Sequence, residues 1–176
     1  MIVKYHPFVG TAKAIAEKRS QQPEAMEAPN YQDWVDTGRF YTDAMGECAL
    51  VWTLMESGVR HSWDSDNKEV TVFIGGVSKV LRTRTASQAH HQKLAIPVGD
   101  RDEYLNSKCN ALVLARVQEP NRHVDLLGAV PRHEFMKLEQ RYPNDGKLPK
   151  VSQAMCVVHL LSLPLGMNFL QKLDSE

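Results

Sequence analysis

The sequence predicts an α/β fold with a central mixed, mostly antiparallel sheet flanked by helices. Three observations predict it. A stretch from about residue 38 to 57 repeats Phe40, Ala44, Cys48, Val51 and Met55 at helical spacing. Two β-rich segments, Glu69 to Ile74 and Ser78 to Thr85, flank Gly75-Gly76, and paired glycines accept the positive φ of a tight hairpin turn. Two more β-rich segments follow, Ala111 to Val117 and His123 to Ala129, separated by the polar run Gln118 to Arg122. One helix, several strands, then strands mixed with short helices is an α/β or α+β order.

Taken in order, Met1 to Pro7 has no apolar h-region, so no secretion signal is read. A short helix is predicted from Thr11 to Arg19. Ser20 to Asn30 is rich in Gln, Glu, Ala and Pro, which reads as a linker, or else as an arm that orders on a partner. Residues 1–30 are therefore assigned to an N-terminal arm and linker, and residues 31–176 to a single domain. In the long helix, Glu47 sits at the edge of the apolar stripe and Glu56 on the opposite side. Gly58 suits a C-cap. Val59 to Trp63 reads as a short strand. The span from Thr85 to Asn110 is irregular, interrupted by Pro97 and Gly99. Val130 to Phe135 reads as a strand end passing into a helix, and Asn144-Asp-Gly146 as a turn. Ala154 to His159 is a last strand, and Pro164 opens a terminal helix to Leu173.

Composition narrows the function classes. The 176 residues are 43% hydrophobic and 24% charged, with zero formal net charge. That is the profile of a soluble globular protein, and any electrostatic partner must be met by a local patch. Three cysteines with no C-x-x-C pair argue against structural zinc and fit reduced thiols in a cytoplasmic protein. The longest apolar run, Ala154 to Met167, is too short to span a bilayer. It is equally compatible with a homodimer interface and with core. Trp34, Trp52 and Trp63 read as core or interface residues, Cys156 as a buried thiol and His159 as a core histidine.

The most informative feature is a missing residue type. From Val70 to Gly99 there is no Asp or Glu, yet the span holds Lys79, Arg82, Arg84, Lys93, His90 and His91.

The later half carries a resemblance. Leu94-Ala-Ile-Pro97, then Asn110 to Val117, then Val124-Asp-Leu-Leu-Gly-Ala-Val-Pro-Arg-His-Glu-Phe135, with Leu163 to Leu170 as a terminal helix, resemble restriction-endonuclease-like proteins. These form the PD-(D/E)XK nuclease superfamily, and the resemblance is to small phage and bacterial members. It extends over roughly residues 31–173. In that family a helix often supplies a Glu facing the sheet. One strand then supplies an Asp, and past a turn the next strand supplies Glu-x-Lys on one face. The carboxylates hold Mg²⁺ ions that activate water and stabilise the phosphate in flight. Carried over, Glu47 matches the helix acid, the Asp falls near Val70 or Thr71, and Glu-x-Lys falls near Val80-Leu-Arg82. Only Arg82 keeps a cation, and both strand acids are missing.

The resemblance therefore implies a restriction-endonuclease-like core with an eroded catalytic motif, a pseudo-nuclease. Val80, Arg82 and Arg84 share one strand face, with the two guanidinium groups roughly 7 Å apart. They are expected either to pair with Glu47, Asp64 or Asp66, or to grip phosphates or carboxylates of a partner. Glu47 is expected to pair with Arg82 across the helix–sheet contact, and Arg84 to be the best single contact of the hairpin face, with Lys79 and Lys93 flanking it. The implied function is DNA binding, or recognition of an acidic surface on a nucleic-acid-processing complex as an inhibitor or recruiter. It would use Lys79, Arg82, Arg84, His90, His91 and Lys93 and no cofactor. Two alternatives stay open. One is an active Mg-dependent DNA endonuclease using Glu47 with Asp64, Asp66 and Glu69. The other is a virion or assembly component.

Overall fold

The computed structural model describes residues 2–4, 7–86, 93–97, 104–118, 123–132, 135, 140–142 and 155–159, with the backbone alone at 86, 93–97, 140–142 and 155–159. His90, His91, the turn at 144–146 and the helix expected from Pro164 lie outside these residues. In chain order the elements are β1 (Ile2–Lys4), α1 (Val9–Ser20), α2 (Pro23–Met26), α3 (Tyr31–Asp36), α4 (Arg39–Glu56), β2 (His61–Asp64), β3 (Glu69–Ile74) and β4 (Val77–Ala86). They continue with β5 (Lys93–Pro97), β6 (Ala111–Gln118), β7 (His123–Pro131), β8 (Gln140–Tyr142) and β9 (Met155–His159).

Six strands form a mixed sheet in the order β1-β7-β6-β4-β3-β2. Every neighbouring pair is antiparallel except β4 and β6, which run parallel with Leu81 opposite Ala111. A second, antiparallel sheet has the order β5-β9-β8.

Helix α4 fixes the core. Residues 44 to 50 are all buried, because the sheet covers one side of the helix and α1 the other. Leu50 and Leu54 pack on Val70, Val72 and Leu81. Ala44, Met45 and Cys48 meet Ala115, Val124 and Leu126 on one side and Ala12 of α1 on the other. Two-sided contact widens the buried arc beyond the expected stripe. Leu50 and Leu54 are inside it, while Met55 is 49% exposed. Each fully buried Leu contributes roughly 1.5–3 kcal/mol.

The helix ends where the sequence says it should. Gly58 takes φ 66°, Val59 N donates to Leu54 O at 2.9 Å and Gly58 N to Met55 O at 3.0 Å. That is a Schellman closure of the last carbonyls. The β3–β4 turn likewise uses Gly75 and Gly76 at φ 56° and 81° between the paired Ile74 and Val77.

The first thirty residues are more than an arm. Strand β1 pairs with β7, and Val3, Phe8 and Ala12 belong to the core. Only the segment from 20 to 30 has the exposed character of a linker, and it contains the short α2.

The second sheet face carries the Val-Pro-Arg-x-x-Phe segment. Phe135 is fully buried, with its ring 5.5 Å from that of Tyr104. Arg132 donates to the carbonyls of Ser107, at 2.8 Å, and Leu105. This motif therefore clamps the chain that leads into β6. Asn110 completes the junction, its Oδ1 accepting from Val80 N at 2.7 Å and its own N–H donating to Val80 O.

Among the described residues no helix is long and apolar enough to cross a membrane.

Candidate functional site

Strand β4 outruns its neighbour. On one side β3 pairs with Val77 to Leu81, whereas on the other β6 pairs with Leu81 to Ala86. From Thr83 onward no described strand covers the β3 side. Side chains from both sheet faces can therefore reach one space at that open edge. A cavity of about 190 Å³ lies there, between β4, the β2–β3 turn, α3 and the N-terminal half of α4.

Strand alternation sorts the residues around it. Leu81 and Thr85 face α4, where Thr85 lies so close to Gly46 that any Cβ on Gly46 would collide with its Oγ1. Arg82 and Arg84 face the other way, in register with Leu112 and Leu114. Both arginines line the cavity, together with Lys68 and Arg39. Trp34 and Phe40 form its aromatic wall, edge to face at 5.8 Å, with the Arg39 guanidinium 5.5 Å from the Trp34 ring centre.

Glu47 reaches the same cavity, but it is held by a cation that the sequence reading did not name. Arg19 of α1 grips it in parallel, Nη1 to Oε1 and Nη2 to Oε2, both at 2.7 Å. The two side chains are 3% and 1% exposed. Arg19 also donates to the Ser65 carbonyl. The expected Glu47–Arg82 pairing is corrected to Glu47–Arg19. Arg82 instead pairs across the strands with Glu69, at 3.1 Å. Helix α1 can deliver the guanidinium because Ala12, Ile15, Ala16 and Arg19 fall on one helical stripe. That spacing was the signal available in the sequence. Extending the apolar stripe by one step puts an arginine on the buried face.

The remaining described acids near the site are also engaged. Lys18 donates to both carboxylate oxygens of Asp66, at 2.6 and 2.8 Å. Asp64 accepts from the Asn67 side chain and from the backbone N–H groups of Asn67 and Asp66. These bonds, the Asn67 side-chain bond foremost, hold its carboxyl below the usual range. Asp43 lies 3.8 Å from Arg39. Among the described residues, no three acidic, His or Cys side chains come together as a metal-binding group.

The other expected contacts divide. Lys79 is on the α4 face of β4, opposite Val72, and roughly 17 Å along the strand from Arg84. The structure does not bring it to the cavity. Lys93 opens β5, opposite His159 in the second sheet, and its side chain is outside the described residues. Lys68 was missed by the sequence reading because a lone lysine in a polar turn carries no periodic signal. It adopts φ 58° and makes no ion pair or side-chain hydrogen bond among the described residues.

Two buried thiols stand apart from this chemistry. Burial pushes Cys48 up to about 12, assisted by the Glu47 charge, and Cys109 up to about 11. Neither is suited to act as a thiolate near neutral pH.

No protein family, curated protein or solved structure matches this chain, so the site is read from its own geometry.

Proposed function

We propose that this protein is a catalytically degenerate nuclease-fold module that binds nucleic acid beside β4 without a metal ion. The observation that carries this reading is the pairing of acids and cations around the cavity. Glu47, Asp43, Asp66 and Glu69 each sit with a named cation. Arg82, Arg84 and Lys68 line the space where a carboxylate-bound Mg²⁺ would be expected from the resemblance. Guanidinium groups match phosphate oxygens in two-point contacts, and an ammonium adds a point charge. The element order supports the restriction-endonuclease-like assignment. A helix acid facing the sheet is followed directly by an antiparallel run, β2-β3-β4, whose middle turn holds Gly75-Gly76.

The test is purified protein with duplex and single-stranded DNA, with and without Mg²⁺ or Mn²⁺, read for retardation and cleavage. The expected result is salt-sensitive retardation without metal and no cleavage. Metal-dependent turnover that Glu47→Gln abolishes would replace this reading with the active endonuclease. No retardation even at low salt would remove nucleic acid as the ligand.

A further inference from the structure

We propose that the cavity beside β4 takes one phosphate of a single-stranded nucleic acid, with the adjoining unpaired base stacked on Trp34. The inference rests on the nucleic-acid reading above and narrows it to unpaired strands.

Size comes first. At about 190 Å³ the cavity is smaller than the roughly 300–1,000 Å³ that encloses a whole small-molecule ligand. It suits one group of a longer chain, with the rest of the ligand outside.

Charge comes second. Both described acids that line the cavity, Asp43 and Glu47, already face an arginine. Lys68 contributes an ammonium with no ion pair among the described residues, held at the rim by the β2–β3 turn. Among the described residues that line the cavity the balance is positive, Arg39, Lys68, Arg82 and Arg84 against Asp43 and Glu47, although the whole chain is neutral. A phosphodiester satisfies it with a single group.

The aromatic wall comes third, and it selects among phosphate carriers. Trp34 is half-buried on α3 and borders the same cavity as Lys68 and Arg84. An indole next to phosphate-binding cations is the arrangement that binds successive nucleotides of a single strand, since every base has a π-face. In a duplex the bases are stacked inside and paired. A duplex can offer its phosphates to Arg84 and Lys68, but it cannot lay a base on Trp34 without extruding it. A peptide of Asp and Glu could satisfy the cations yet carries no aromatic face to lay on the indole.

The experiment uses the full chain in metal-free buffer and two labelled probes, oligodeoxythymidine of about ten nucleotides and a mixed-sequence duplex of the same length. Binding is read by anisotropy and by quenching of tryptophan fluorescence. Oligodeoxythymidine is expected to bind more tightly than the duplex and to quench a component that is absent in Trp34→Phe. Stacking of one base predicts that Trp34→Ala weakens oligodeoxythymidine by roughly 5- to 150-fold, with duplex affinity unchanged. Trp34→Phe retains most of the affinity. Lys68→Gln, at an exposed turn position, lowers the slope of log K against log salt on the single strand by about 0.7. It tests the phosphate contact even if Trp34→Ala fails to fold. Equal affinity for the two probes overturns the narrowing and leaves the proposed function standing. So does a Trp34→Ala protein that is folded and unimpaired on the single strand. Absence of binding to both probes overturns both readings, and capture of a polyglutamate peptide alone does the same.

Discussion

Replacing Glu47 by Ala leaves the Arg19 guanidinium buried with only the Ser65 carbonyl as a described acceptor. Replacing Arg19 by Ala leaves a carboxylate sealed between α4 and the sheet. Each single change strands an uncompensated charge, because the side chains are 3% and 1% exposed and share two 2.7 Å hydrogen bonds. Breaking a buried pair from one side costs about 3–5 kcal/mol. In a chain of this length that lowers the melting temperature by about 6–20 °C. Removing both partners removes the stranded charge as well. The double variant should therefore be more stable than the sum of the single losses predicts, with a coupling of about 1–3 kcal/mol. Arg19→Met with Glu47→Leu, which refills the volume, should approach the wild type. The assay is urea unfolding of the five proteins, followed by far-ultraviolet circular dichroism, with slopes compared to confirm that the same surface is exposed. Strict additivity of the two alanine losses would refute the argument, and so would single losses below about 1 kcal/mol, which is the size of a solvent-exposed pair.

Three further outcomes follow from other parts of the structure. Gly46→Ala should destabilise by about 1–3 kcal/mol despite the better helix propensity of Ala, since the new methyl collides with Thr85 and lies 3.2 Å from the Ala115 Cβ. Thermal melts check this, and an unchanged or raised midpoint would contradict the close approach. In a Cys156→Ser background, Cys48 and Cys109 should not react with a disulfide reagent at pH 8 until urea unfolds the chain, because burial raises both thiols. A fast native-state reaction would contradict their burial. Asp125 is held below its ordinary value. Burial alone would raise it, but hydrogen bonds from Arg116 and Gln118 and the charges of Arg116 and His123 outweigh that. A depressed carboxyl stabilises the fold above its unfolded value of about 3.9 and loses that contribution as pH falls through the folded value. The acid limb of a urea-midpoint profile should therefore be shallower in Asp125→Asn than in wild type, and identical limbs would remove Asp125 from the account.

Much of the fold is legible in the residues because its strongest elements announce themselves locally. The α4 stripe, its Gly58 stop and the Gly75-Gly76 hairpin depend on neighbours in sequence. So do β6 and β7, which appear within a residue or two of where β-rich runs place them. What escapes is non-local. Nothing short-range in Leu81 and Ala111 says that their strands run parallel, and nothing in Ile2 says that it finds Asp125. The site divides along the same line. Glu47 was visible as the one acid of its helix near the core, and its burial followed from the stripe. Arg19 was not, since an apparent arm gave no reason to look there for a buried partner. Lys68 and the Trp34–Phe40 wall come together only through tertiary packing. Lys79 was legible in part: alternation already puts it on the face opposite Arg82 and Arg84, and in the structure it lies opposite Val72.

The pairing of β1 with β7 has a kinetic consequence. Ile2 is synthesised well before its partner Asp125, which follows only after roughly ten seconds. Until then the first strand has no place to dock, while α1 and α4 can already associate. Closing so long a loop is the kind of event that slows folding. While β1 is undocked, β7 has no partner on that side among the described residues, an edge that another chain's strand could add to. Refolding from urea should accordingly show β1 docking as a late event. Deleting the first four residues should leave the earlier phases unchanged and make the product more prone to self-association.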